Sequence, residues 1–403
     1  MSRFDSYFLM KDNDAAEYAR EKSDMFASDA KLMVEEIGDG NLNYVFLVKD
    51  EKAGKSVIVK QAGETLRISD EMRVSTDRNR IESEILELQN KFAPGLVPKI
   101  YSYDTVMCAC IMEDLSDHQL MRYALMEYKT FPKFAEDITT YMVNTLLNTT
   151  DVVMEHKEKK ALVQSFINPE LCEITENLVL QEPYNDVKSR NIVFEANAEF
   201  IKKELYEDKT LHLEIAKLKF DFMNNAQALL HGDLHTGSIF VKQDSTKIFD
   251  PEFAFYGPIG YDVGNVIANL IFAWNRANAE GMSEFCMWAL ITIVEVIDLF
   301  KKKFFERFGE SVTDCMAKTE GFKEYYLSNV MIDTAAYTGT ELIRRTVGMA
   351  QVKDITTISD LEKRARAEKI NILCAKEMIM KRVNFKDGAD FTTVLSQAVE
   401  AAD

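Results

Sequence analysis

Proline and glycine are scarce, 7 and 16 in 403 residues, so long disordered linkers are not expected. No repeat or low-complexity tract is present. The six cysteines (Cys108, Cys110, Cys172, Cys286, Cys315 and Cys374) form no CxxC pair and no zinc spacing with histidine. They read as reduced, mostly buried thiols of a cytoplasmic protein. Positive charge is in short supply: 48 Lys and Arg stand against 66 Asp and Glu, a formal net charge of −18. So acidic a surface repels phosphate backbones and anionic lipid, so neither nucleic acid nor a membrane is expected as a partner. Met1 to Lys11 lacks the apolar core of a signal peptide. The most apolar late stretch, Met287 to Phe300, holds Glu295 and Asp298 and is too short to span a bilayer. Gly-x-x-x-x-Gly-Lys-[Ser/Thr] is absent, which disfavours a P-loop enzyme. The two tryptophans, Trp274 and Trp288, read as core.

What is present is a globular composition, 47% hydrophobic and 28% charged, in a chain too long for one ordinary core. The first third reads as strands with one helix. Ala30 to Glu36 alternates, Gly38-Asp39-Gly40-Asn41 turns, and Asn43 to Val48 and Ser56 to Ala62 are β-rich. Asp77 to Phe92 predicts a helix with Ile81, Ile85 and Leu88 on its apolar face, Thr76 or Asp77 at its start and Pro94-Gly95 at its end. Pro98 to Met112 gives two further β-like runs. From Glu113 onward helices dominate: Phe134 to Leu147, Ala196 to Asn225, Met282 to Phe308, Tyr325 to Val347 and Ser359 to Arg382. One non-helical block, Leu229 to Gly260, interrupts them. The expected fold is α+β and bilobal, with a β-rich lobe of residues 1–112 and a larger helical lobe of residues 113–403. A ligand is expected in the cleft.

Three segments carry chemistry when taken together. His231-Gly232-Asp233-Leu234-His235-Thr236-Gly237-Ser238 is a polar loop before a short apolar strand. Phosphoryl transfer needs a carboxylate that orients the attacking hydroxyl, and Asp233 suits that role. Asp250-Pro251-Glu252 follows about 17 positions later at the end of another short strand. Two carboxylates one residue apart supply the hard oxygens that Mg²⁺ requires. In the first lobe, Gly38 and Gly40 lie in a turn whose backbone N–H groups suit phosphates, and Lys60 ends the next Val-Ile-Val strand. The turn reads Gly-x-Gly-x-x-Asn, without the third glycine of common nucleotide loops. In isolation each segment also reads as an ordinary turn. Their order — glycine turn, strand Lys, helix Glu, catalytic Asp, metal Asp — is that of protein-kinase-like folds. Glu84 is the expected partner of Lys60, with Glu82 as runner-up. Asp262 opens an apolar helix, where it caps the helix or braces the catalytic loop. His235 reads as structural.

With Ile111-Met112-Glu113-Asp114-Leu115 and Arg344-Arg345 added, the motifs strongly resemble the methylthioribose kinase family, within the aminoglycoside phosphotransferase and choline kinase superfamily. The resemblance runs from the glycine turn past Arg345. It implies ATP and Mg²⁺ as cofactors and a sugar acceptor, phosphorylated on the 1-hydroxyl in methionine salvage. It also implies that Asp233 is catalytic and that Asp250 and Glu252 hold the metal. Gly38, Gly40, Asn41, Lys60 and Glu84 would serve the nucleotide, with Met112, Glu113 and Leu115 as the adenine hinge. Arg344 and Arg345 would reach the sugar. Adjacent helical residues point about 100° apart, so the two arginines are expected to take different jobs. A homodimer is one assembly this reading allows.

Two features depart from the pattern: Ser238 stands where protein kinases place a metal-ligating Asn, and Ser69 to Thr76 lacks the tryptophan common in the family. Competing readings are a 5-deoxypentose, choline or aminoglycoside kinase, and a non-catalytic pseudokinase. The last predicts loss of Asp233, Asp250 or Glu252, and all three are present.

Overall fold

The computed structural model describes residues 2–38, 43–63, 65–66, 69–73 and 75–403. The chain divides into two compact units. The smaller comprises Met1–His118 and Lys247–Ala254, the larger Gln119–Thr246 and Phe255–Asp403. The first unit therefore runs six residues past the expected boundary at 112 and takes back the segment carrying Asp250 and Glu252.

The smaller unit is built on a five-stranded antiparallel sheet. Its strands are β1 (Met33–Ile37), β2 (Asn43–Asp50), β3 (Lys55–Ala62), β6 (Ile100–Asp104) and β7 (Ala109–Glu113), in the order β1-β2-β3-β7-β6. The ribbon β4 (Thr65–Leu66) and β5 (Ser69–Arg73) lies outside it. Side chains alternate across a strand, so Val57 and Val59 share one face and Lys60 takes the other. Val57 and Val59 pack into a core with Phe46, Val48, Ala109 and Ile111. That core is closed by α1 (Asp12–Lys22) through Ala15, Tyr18 and Ala19, at spacings of three and four. α1 is an element the strand-rich reading of this third missed.

α2 (Asp77–Phe92) forms where its periodicity predicts. Its start is held by Ser75, whose hydroxyl accepts from the Asp77 N–H at 3.1 Å, and not by Thr76 or Asp77. Its buried face includes Arg78, Glu82, Ile85 and Gln89, spaced four, three and four. The returning segment is tied in by the Ile248 N–H, which donates to Leu96 O at 2.8 Å.

The larger unit is mostly helical. The helix Ile259–Glu280 is buried on every side from Ile259 to Asn275, as befits a central helix. Gly264 lets the helix Phe322–Val347 approach closely: a Cβ there would stand 2.7 Å from the Thr338 backbone nitrogen. Ser283–Ser311 and Leu361–Met380 complete the bundle. The expected long helix Ala196–Asn225 is broken. Asp208 caps a fresh helix, Lys209–Asn224, by accepting from the Thr210 and Leu211 N–H groups. Among the described residues, no helix is long and apolar enough to cross a membrane. All six cysteines are free, but only Cys110 and Cys374 are buried, fewer than expected.

Candidate active site

In the smaller unit, Lys60 is 7% exposed and lies among carboxylates. Its Nζ donates to Glu82 Oε1 at 2.8 Å and to Asp250 Oδ1. Burial disfavours the ammonium, but Asp250, Glu82 and Glu252 together hold its pKa well above the usual lysine value. The expected partner, Glu84, is elsewhere: it pairs with Arg80 at 2.7 Å, half-exposed on the outer side of α2. Glu82 shares the buried face with Arg78 and Ile85, whereas Glu84 belongs to the stripe of Asp77 and Arg80.

Asp250 takes a left-handed backbone, with φ of +65°. In a non-glycine residue this costs on the order of 1–3 kcal/mol and is typical of functional sites. Glu252 is buried and accepts from Asn43 Nδ2 at 2.9 Å, and Asn43 Oδ1 accepts from Arg78 Nε at 3.1 Å. Burial, with Asp250 close by, raises the Glu252 carboxyl. Burial also raises Glu82, against the pull of Lys60. Glu82 Oε2 is buried and has no hydrogen-bond partner among the described residues. Among the described residues, the three carboxylates Glu82, Asp250 and Glu252 face two cations, Lys60 and Arg78. This excess of anionic oxygen fits a divalent cation. Among the described residues no group of three His, Cys, Asp or Glu is arranged as a metal cage. Mg²⁺ does not demand one, since one or two carboxylates suffice when phosphates and water complete its shell.

The glycine turn contributes less that can be described. Gly38 follows β1 in an exposed turn, and none of the described residues lies within 4 Å of where its Cβ would be. Gly40 and Asn41 lie outside the described residues. In the expected hinge, Met112 and Leu115 are buried. The Glu113 N–H is committed to Lys99 O at 2.8 Å, and Leu115 O accepts from the His118 N–H at 2.9 Å.

The larger unit holds Asp233. Its loop turns at Gly232, where φ is +85°, a value suited to glycine. Asp262 braces the turn by accepting from the His231 N–H at 2.7 Å and the Gly232 N–H at 3.0 Å. The Asp233 side chain is 24% exposed. Arg344 Nη2 lies 3.0 Å and Arg345 Nη2 3.5 Å from Asp233 Oδ1. His235 Nε2 lies 3.1 Å from Oδ2. His235 Nδ1 accepts from the Gly237 N–H at 3.0 Å, which places the ring proton on Nε2, where it donates to Asp233. Burial brings the His235 pKa down to about 4, so the ring is neutral at neutral pH.

Burial works to raise the Asp233 carboxyl, yet it sits well below the usual range. An imidazolium at His235 would lower it, but that ring is neutral. The Nε2–H donor and the two guanidinium groups therefore hold Asp233 ionised. Both arginines reach the same oxygen: their long side chains converge although the helix sets their Cα–Cβ bonds about 100° apart. Ser238 Oγ donates to Asp233 O at 3.0 Å and serves the loop's own geometry.

Sequence reasoning does not name four residues that contact these groups: Asn43 on Glu252, Arg78 on Asn43, Glu341, which accepts from Arg344 Nε and Arg345 Nε, and Asn269, which accepts from Thr236 Oγ1 and donates to Glu341. A signal existed for two of them. Arg78 lies one helical turn from Glu82, and Glu341 is at once three residues before Arg344 and four before Arg345.

The phosphotransferase enzyme family profile matches residues 34–283. A methylthioribose kinase from a Geobacillus species is 39% identical over 379 residues, covering 94% of this chain and 93% of that protein. Another from Bacillus cereus is 36% identical over 394 residues, covering 98% of each. Among solved structures, a choline kinase from Cryptosporidium parvum covers 96% of both chains at 12% identity, with a TM-score of 0.47. With more than nine-tenths of its length matched at this identity, the chain belongs to the phosphotransferase enzyme family, in the branch of the methylthioribose kinases.

Proposed function

We propose that this chain transfers the γ-phosphoryl group of ATP to the 1-hydroxyl of 5-methylthioribose, with Mg²⁺, as a step of methionine salvage. The observation that carries the reading is Asp233, kept ionised by Arg344, Arg345 and a neutral His235. A carboxylate accepts about four hydrogen bonds. The three donors to Asp233 leave about one place, which suits the acceptor hydroxyl.

So weakly basic a carboxylate orients the hydroxyl more than it deprotonates it. That is adequate for a loose, metaphosphate-like transition state, in which the proton passes to Asp233 late, as the new O–P bond forms and the bond to the departing ADP oxygen breaks. Arg344 and Arg345 add donors for the charge on the transferring group. Lys60 neutralises nucleotide phosphates and is aimed by Glu82, while Asp250 and Glu252 would hold Mg²⁺. When bound, the ion offsets charge on the β- and γ-phosphate oxygens. Two buried arginines beside the acceptor carboxylate disfavour cationic acceptors, which argues against choline and aminoglycosides.

The test is a coupled ATP-turnover screen with methylthioribose, 5-deoxyribose, ribose, choline and kanamycin. Methylthioribose should give the highest kcat/KM. Preference for either cation would overturn the reading.

A further inference from the structure

Two arginines adjacent in a helix leave its axis about 100° apart. Arg344 and Arg345 nevertheless bring their Nη2 atoms to one oxygen of Asp233. What gathers them is one carboxylate a turn earlier on the helix Phe322–Val347. Arg344 Nε donates to Glu341 Oε2, and Arg345 Nε donates to Glu341 Oε1 at 3.1 Å. Each guanidinium is thus held by its Nε edge and presents its Nη2 edge to Asp233. We propose that Glu341 is a positioning residue for phosphoryl transfer, the clamp that sets both guanidinium groups on the catalytic carboxylate. This rests on the function proposed above.

Three further observations support the clamp. Glu341 is 1% exposed, so its charge is turned inward to the arginines and not to solvent. Arg344 and Arg345 are themselves buried, so their mutual repulsion is little screened by water. With His235 neutral, Glu341 and Asp233 are the anions in direct contact that offset it, and Arg122 with Asp354 adjoins Arg345 as a further pair of opposite charges. Glu341 is also tied to the catalytic loop. Asn269 Nδ2 donates to Glu341 Oε1 at 3.4 Å, and Asn269 Oδ1 accepts from Thr236 Oγ1 at 3.1 Å. The close helix approach at Gly264 holds Asn269 and Glu341 opposite one another. Position is therefore passed from the loop that carries Asp233 to the helix that carries the arginines.

Glu341→Gln keeps the shape but places an amide donor against one guanidinium, so one arginine must turn away. With methylthioribose as acceptor, kcat should fall about 10²-fold, the usual cost of roughly 1 Å of misplacement, while KM for ATP stays within about twofold. Glu341→Asp, still anionic but shorter, should be intermediate. In an Arg344→Ala/Arg345→Ala background, Glu341→Gln should cost less than about twofold in kcat, because the groups it acts through are gone. There it should also raise Tm, because the carboxylate has lost its charged partners, whereas in the parent it should lower Tm. Parental kcat in Glu341→Gln, or an equal loss in both backgrounds, would overturn the proposal. A parent inactive on methylthioribose would instead remove the substrate reading. The two Tm changes would still report whether Glu341 holds the arginines.

Discussion

Arg344 Nη2 donates to Asp233 Oδ1 at 3.0 Å, and Arg345 Nη2 approaches the same oxygen at 3.5 Å. Because the two converge, Arg344→Ala and Arg345→Ala should both lower kcat on methylthioribose, each by on the order of 10-fold or more. KM for ATP should change by less than about twofold in either. Steady-state kinetics with each substrate varied in turn decides the matter. If one variant changes only the sugar KM and the other only kcat, the roles are separate after all.

His235 provides a pH test. Its folded pKa is about 4, below the ordinary histidine value of 6.5. Between those values the unfolded chain binds the extra proton and the folded one does not, so stability rises with pH there and is lost as pH falls from about 6.5 to 4. The loss is about 3 kcal/mol at most. His235→Gln retains an amide donor for Asp233 but does not titrate. Thermal melts from pH 7 to pH 4 should show the parent losing stability relative to His235→Gln. Parallel curves would mean that His235 is not held neutral.

Glu82 and Glu84 should behave oppositely. Glu82→Gln removes the buried anion that aims Lys60, and should lower kcat/KM for ATP by about tenfold, or 1.4 kcal/mol. Glu84→Gln removes only a surface pair with Arg80 and should stay within about twofold. Equal losses would show that the orientation of α2 differs in the working enzyme.

Asp262 accepts from two backbone N–H groups of the loop that carries Asp233. Asp262→Asn turns an amide donor toward one of them. Leaving a buried donor unpaired costs about 1–3 kcal/mol. The urea midpoint and kcat should both fall. An unchanged midpoint would mean that the brace contributes little.

The framework was legible where side-chain periodicity was strong. α2 falls on its predicted residues, Lys60 lies in the strand Lys55–Ala62, Asp233 lies within a loop before a short strand, and Asp250 follows the short strand Ser245–Ile248. Glu82, the partner of Lys60, comes only second in the sequence reading because the helical face is drawn through Ile81, Ile85 and Leu88, which sets Glu84 beside it. Arg78 and Gln89, polar yet buried, move that face toward Glu82. The convergence of Arg344 and Arg345 was missed because backbone angles were taken to fix where flexible side chains end. Helix α1 was missed because its buried stripe is only Ala15, Tyr18 and Ala19 in an otherwise charged segment.

The most direct test compares the parent with Asp233→Asn, using ATP, Mg²⁺ and methylthioribose, with phosphorus NMR to identify the product. The parent should form the sugar 1-phosphate. Asp233→Asn should turn over about 10²–10⁴-fold more slowly while its ATP dissociation constant stays within about twofold. Turnover within about threefold of the parent, or phosphate on another hydroxyl, would contradict the account.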